Sequence, residues 1–234
     1  MAGSKILVLG GTGPAGLCLL RELESRQRHT IVYARNISKI PSNLAANDSL
    51  EIIQGEMDDL DSLSRAIAQC SSVVSLLGPN INDRIATSSL YADIYRNIFT
   101  LMRRHGVRRI LAMGTPSIQR PEDSWTIIQP VIILFVRMLH NSVYRNIINV
   151  ANVFERDATG LDWTVYRIGQ ILGGSDESNW KADREASEPF IGHVGEKGWS
   201  LPLKRGLLAR WLADAAAGKA DDWIGKMPAI SQPL

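Results

Sequence analysis

The chain has 234 residues, 45% of them apolar and 21% charged, with 26 Lys and Arg against 24 Asp and Glu. That length suits one large domain or one with a small appendage, and the composition excludes a disordered or fibrous chain. The first 120 residues carry 14 basic and 10 acidic groups and the remainder 12 and 14, so neither half has the basic excess of a nucleic-acid binder. Two cysteines, Cys18 and Cys70, cannot build a disulfide framework, which points to a reducing, cytoplasmic setting.

Short apolar runs alternate with longer segments of helical period, the pattern of parallel strands joined by crossover helices. The first strand is predicted at 5–9 and a helix at 14–25. A second strand follows at 29–34 and a third at 51–54, with a helix over 60–70. The fourth strand is expected at 72–77, a long helix at 87–105 and the fifth strand at 109–113. The run Arg103, Arg104, His105, Arg108 and Arg109 closes that helix, where cations meet the negative end of its dipole. The most apolar stretch, 126–139, is interrupted by Gln129, Pro130 and Arg137. It falls short of the roughly 18 apolar residues of a membrane span, so no stable membrane insertion is expected. It reads as a buried helix or the wall of an apolar pocket, with attachment to a membrane surface as the alternative. A helix over 143–159 leads to the sixth strand at 162–167. Beyond it the regularity fails. Residues 173–206 are rich in Gly, Ser and acid but hold Trp180, Phe190, His193 and Trp199. A loop this long in a compact domain is usually functional, and its aromatic residues point to a substrate lid.

Directly after the first strand stand Gly10, Gly11, Thr12, Gly13, Pro14, Ala15 and Gly16, then a helix. The first glycine of the spaced triplet lets the strand turn tightly, the second admits a pyrophosphate, and the third lets helix and sheet pack closely. Uncapped N–H groups and the helix dipole then hold the anion, and Pro14 suits a first turn that needs no N–H. Strand, glycine loop, helix and second strand together point to dinucleotide binding, with Gly10, Thr12, Gly13, Pro14 and Ala15 around the phosphates. Where a carboxylate would select NAD, about 20 residues past the loop, stands Arg35, with Lys39 a turn further on. A guanidinium there complements a 2′-phosphate, so NADP(H) is the expected cofactor; the alternative is a solvated surface arginine. The fold expected is a doubly wound parallel sheet of Rossmann type, one domain over 1–234, with 173–206 as its small substrate-covering region.

The glycine loop, Ala34 and Arg35, Gly55 and Glu56 after the third strand, and Gly78 after the fourth resemble the atypical short-chain dehydrogenase/reductases. The stretches 109–117 and 161–168 are similar to the NmrA-like and biliverdin-reductase-B-like branch, especially its fungal members, and the resemblance covers nearly the whole chain. It implies that Glu56 and Met57 flank the adenine and that Leu77 and Gly78 line the path of the nucleotide. Glu56 departs from the aspartate more common there.

The family's usual relay, a tyrosine followed four residues later by a lysine that lowers its pKa, is absent. No lysine stands between Lys39 and Lys181. Thr115 and Ser117, at the end of the fifth strand, are turn formers or donors to a substrate. Tyr144, near the start of the next helix, is either at the reacting centre or a packing aromatic. His140 reads as a packed or capping residue, and His193 faces solvent or substrate. Cys18 and Cys70 read as core fillers, and no metal-ligand spacing occurs. The reading is an NADPH-dependent reductase of a bulky apolar or aromatic small molecule, of open oligomeric state, in secondary metabolism if the fungal resemblance holds. A non-redox cyclase or isomerase and an NADP(H)-sensing regulator are the alternatives.

Overall fold

The computed structural model describes residues 5–79 and 87–234. Along β1 (Lys5–Leu9) successive side chains point to opposite faces, so Ile6 and Val8 enter one core and Leu7 and Leu9 the other. The chain continues through α1 (Pro14–Ser25), β2 (Thr30–Ala34), the short α2 (Ser42–Ala45), β3 (Leu50–Gln54) and α3 (Leu60–Ile67). Then come β4 (Cys70–Ser75), α4 (Leu90–His105), β5 (Arg109–Gly114), α5 (Ile128–Leu139), α6 (Asn141–Asp157) and β6 (Asp162–Ile168). The last third adds β7 (Gln170–Leu172), α7 (Glu177–Glu185), β8 (Phe190–Gly192), β9 (Pro202–Lys204), α8 (Arg205–Ala216) and β10 (Ala229–Ser231).

One sheet holds eight strands in the order β3-β2-β1-β4-β5-β6-β10-β8, and β7 and β9 pair separately. Only the β8–β10 pairing in the large sheet is antiparallel. The side chains of α3, α4 and α6 fill the core on one face. Those of α1, α7 and α8 fill the other. This is the expected doubly wound α/β sheet, with its switch point between β1 and β4, where such folds open a crevice beyond the carboxyl ends of the strands.

The cationic run that closes α4 is structural. Arg103 donates to the carbonyls of Asp157 and Thr159, and Arg108 pairs with Asp162. Gly106, at φ +70°, closes the helix in the left-handed conformation that costs glycine least. Both cysteines are free and buried; burial pushes the Cys18 thiol up to about 11 and that of Cys70 to about 12.

Three expectations need correction. The helix predicted over 60–70 ends at Ile67, because Cys70 already pairs with Lys5 in the sheet. Residues 173–206 are not an irregular loop. They form α7, capped by the Asp176 carboxylate on the Asn179 N–H at 3.0 Å, and then β8 and β9. Trp180 and Trp199 are buried anchors of this segment, and the Trp180 indole N–H donates to Glu22 at 3.0 Å. Finally, 126–139 does carry a helix, but Gln129 is the one residue of α5 that is buried, and most of its apolar side chains are exposed.

Candidate functional site

The turn from β1 to α1 is shaped by where side chains have room. At Gly10, with φ +79°, a Cβ would press on the Leu76 backbone at 3.1 Å. At Gly16 a Cβ would lie 2.4 Å from the Gly10 carbonyl oxygen, so only glycine lets α1 approach the strand this closely. Gly13 differs: a Cβ there would meet just the Gly10 oxygen, at 3.6 Å, and otherwise open space. Gly13 is also the N-cap of α1 and no side chain caps the helix, whose first residue is Pro14. Backbone N–H groups in such a turn are able to hold an anion. Thr12 and Ala15 stand half-buried at its rim and Pro14 is exposed.

At the exit of β2 the Arg35 side chain is exposed and makes no ion pair among the described residues, while its carbonyl accepts from Gln54 at 3.1 Å. Lys39 is likewise exposed. Past β3, Glu56 is exposed and Met57 is half-buried against the core. Their loop is held from beneath by Tyr33, whose hydroxyl donates to the Glu56 carbonyl at 2.8 Å. A Cβ on Gly55 would collide with that hydroxyl at 2.1 Å, which explains the glycine. Burial and the nearby carboxylates of Asp59, Asp58 and Glu56 push the Tyr33 hydroxyl up to about 12.

The end of β4 hangs on two buried tyrosines. Tyr166 donates to the Ser75 carbonyl at 2.9 Å; Tyr95 bonds the Ser75 hydroxyl at 2.8 Å and the Leu77 carbonyl at 3.3 Å. Burial raises both hydroxyls well above the usual tyrosine value. These tyrosines hold Leu77 and Gly78 in place and have no access to a reacting group. Leu77 and Gly78 are half-buried at the crevice, and Gly78 lies against Met113 of β5.

After β5 the chain makes a tight turn in which the Ser117 N–H donates to the Thr115 hydroxyl at 3.3 Å and Ile118 N–H to the Thr115 carbonyl at 3.0 Å. Thr115 thus acts as a turn former, half-buried, and Ser117 is buried. Tyr144 sits in the first turn of α6, half-buried, and its hydroxyl bonds no protein group among the described residues. No hydrogen bond links Tyr144, Ser117 and Thr115 side chains to one another among those residues. His140 is the hinge between α5 and α6, with its ring 6.3 Å from that of Phe135. His193 stacks edge-on against Trp223 at 5.6 Å, and its Nδ1 is buried without a partner among the described residues.

Sequence reasoning missed the strut behind this region. Arg167, wholly buried in β6, bonds both carboxylate oxygens of Asp123 at 2.7 Å and the carbonyls of Ile118 and Met227. Asp123 also receives the N–H groups of Arg120 and Val194 and the Gln129 amide. Burial would raise the Asp123 pKa, but hydrogen bonds and the charge of Arg167 outweigh it and hold the carboxyl below the usual range. The signal was an arginine inside the apolar run Val165, Tyr166, Ile168, a charge that demands a buried partner.

A family model described as NAD(P)H-binding matches residues 10–216. The chain belongs to this NAD(P)H-binding family. Its match spans the phosphate cradle through α8 and thus every candidate position above. Solved structures similar to the chain include a short-chain dehydrogenase/reductase (wide type) from Veillonella parvula in complex with NADP, 16% identical, with a TM-score of 0.74 over 98% of this chain and 95% of that one. Another is an oxidoreductase from Lactococcus lactis, 16% identical, TM-score 0.68, over 97% and 90%. A third is an anaerobillin reductase from Escherichia coli, 14% identical, TM-score 0.68, over 98% of each. At such identities the likeness shows the Rossmann-like fold. Family membership makes the chain NAD(P)H-binding. Among the described residues no helix is long and apolar enough to cross a membrane, and no group of His, Cys, Asp and Glu could hold a metal ion.

Proposed function

We propose that the protein is an NADPH-dependent reductase of a bulky apolar or aromatic small molecule, in the NmrA-like and biliverdin-reductase-B-like branch of its family. The observation that carries the reading is Arg35: an exposed guanidinium, without an ion pair among the described residues, at the exit of β2 where a carboxylate would favour the other dinucleotide. The open Gly13 cradle and the tyrosine-braced loops at Glu56 and Leu77 support it. So do the apolar Leu76, Leu77 and Met113 at the strand ends, which suit an apolar substrate. A place in secondary metabolism belongs to the same proposal and rests on the sequence resemblance alone.

When bound, the nicotinamide supplies the hydride. The chain's own part is binding, orientation and a proton. Backbone N–H groups around Gly10, Thr12, Gly13 and Ala15 would hold the phosphates, with Pro14 setting the first turn of α1. Arg35 would read the 2′-phosphate, and Glu56 and Met57 would flank the adenine. Leu77 and Gly78 would fix the path toward the reacting end. With no lysine between Lys39 and Lys181, the proton would come from a side-chain hydroxyl or through water. Tyr144 is the proposed donor, because the Tyr33, Tyr95 and Tyr166 hydroxyls are engaged with backbone carbonyls whereas that of Tyr144 bonds no protein group among the described residues. Ser117 and Thr115 then shape the floor beneath the substrate. Of the segment 173–206 we assign the covering role to 190–196, which leans on the loop after β5 through the Ser124 N–H to Val194 carbonyl bond of 2.8 Å.

Calorimetry with NADPH and NADH tests the reading. NADPH should bind more tightly, and Arg35→Asp should remove about 1.5 to 3 kcal/mol of that preference, the worth of a charge-assisted contact. With a substrate in hand, product should appear in step with loss of reduced-nicotinamide absorbance. Equal affinity for both nucleotides would overturn the cofactor assignment, and turnover by nicotinamide-free protein would move the chain to a cyclase or isomerase.

A further inference from the structure

We propose that α5 is a homodimer interface, with the helices of two copies packed antiparallel across a twofold axis near Leu134. The outer side of α5 presents Val131, Leu134, Phe135, Met138 and Leu139, and Trp125 precedes the helix. Each is more than half exposed, from 52% at Phe135 to 83% at Trp125. Hydrogen bonds hold the helix from behind: Gln129 donates to the Pro116 carbonyl at 3.0 Å and to Asp123 at 3.2 Å. The apolar face is therefore set outward by the same strut that organises the loop after β5.

Area and charge select the occupant. Six large apolar side chains at this exposure offer roughly 800 Å², the contribution of one partner to a standard protein interface. The largest apolar patch of an ordinary monomer is about 300 to 600 Å². The patch also carries very little charge. Between Asp123 and His140 the single ionic side chain is Arg137. An antiparallel pairing about Leu134 sets the two Arg137 groups roughly 9 Å apart along the axis and opposes the helix dipoles, whereas a parallel one would bring the like charges together. A lipid surface fits less well, since helices that lie on membranes carry a strongly basic polar face and Arg137 is the single basic residue of α5.

Sedimentation velocity of the full chain over micromolar concentrations should show a dimer of twice the chain mass. Leu134→Glu should weaken it at least tenfold while leaving the circular dichroism of the monomer unchanged, because the side chain is exposed. A second arm does not depend on that variant folding. Under mild oxidation Leu134→Cys should cross-link to its partner copy, whereas Met138→Cys should not. The latter pair would stand on the order of 12 Å apart along the antiparallel axis, beyond disulfide reach. The native Cys18 and Cys70 are buried and give the background. A chain that is monomeric throughout, a dimer indifferent to Leu134→Glu that cross-links equally at both positions, or a monomer that floats with phosphatidylcholine–phosphatidylserine vesicles through α5 would overturn the proposal.

Discussion

Beyond β1 the chain passes from strand to helix within Gly10–Gly16, and each glycine has its reason in contacts a few residues away. Beyond β5 it takes residues 115–127 to reach α5, and what holds them is remote: Arg167 of β6, itself fixed by the Met227 carbonyl before β10, and the Val194 N–H after β8. The first region is specified by local sterics and opens onto a backbone cradle. The second is specified by a buried ion pair between distant parts of the chain and opens onto side chains. Folds of this class bind a common nucleotide with backbone and a particular substrate with variable loops. The contrast here follows that division.

The sharpest way to break the contrast is to remove its strut. Asp123→Ala leaves Arg167 buried and uncompensated, which should destabilise the protein by about 3 to 5 kcal/mol in denaturant unfolding. The Asp123 carboxyl has a folded pKa below its unfolded value, so its contribution is fully present above the unfolded value of roughly 4. It is lost as pH falls through the folded one. Acid titration of stability should therefore show a smaller fall below that point in Asp123→Ala than in the parent. A variant as stable as the parent would show that the strut is not what holds the loop.

Next in size, Tyr144→Phe should slow turnover by roughly 100- to 1000-fold, as expected for loss of one donor to a developing oxyanion, with nucleotide affinity unchanged. A silent substitution would make Tyr144 a packing residue and direct attention to His193. On the other side of the comparison, Gly13→Val should keep the fold, since its φ of −77° suits any residue and the space beside it is open. It should nonetheless weaken nucleotide binding at least about 100-fold by filling the place of the pyrophosphate, read by calorimetry alongside the melting temperature. Undiminished binding would move the nucleotide elsewhere. The smallest effect is expected at Tyr33→Phe, which removes the hydrogen bond to the Glu56 carbonyl and should cost about 1 kcal/mol of stability. A modest loss of nucleotide affinity should accompany it if the loop it braces flanks the adenine.

Much of the fold was legible before any coordinates. The bounds of β1 and α1 and the starts of α3 and β5 follow from apolar period, Pro14 and the glycine turn, all local signals. The register of helix and strand near Cys70 was not, because the pairing of Cys70 with Lys5 overrides a helical pattern that runs through it. The cradle residues were legible for the same reason as the strand: glycine spacing reports a backbone shape. Arg35 was legible by counting, and its lack of an acidic partner among the described residues needed the coordinates.

The sequence by itself determined the alternation of strands and helices, the glycine turn after β1 and the buried state of both cysteines. Each depends on side-chain type and spacing within a few residues, which short-range sterics and hydrophobic period convert directly into structure. Only the tertiary structure decided that Tyr33, Tyr95 and Tyr166 are braces and that the Tyr144 hydroxyl bonds no protein group among the described residues. It likewise turned the aromatic loop of 173–206 into an anchored helix and strands, joined Asp123 to Arg167 across 44 residues, and turned the most apolar helix outward. A hydroxyl, a charge or an apolar face has no meaning until its neighbours in space are known, and those neighbours are set by how the sheet brings distant segments together.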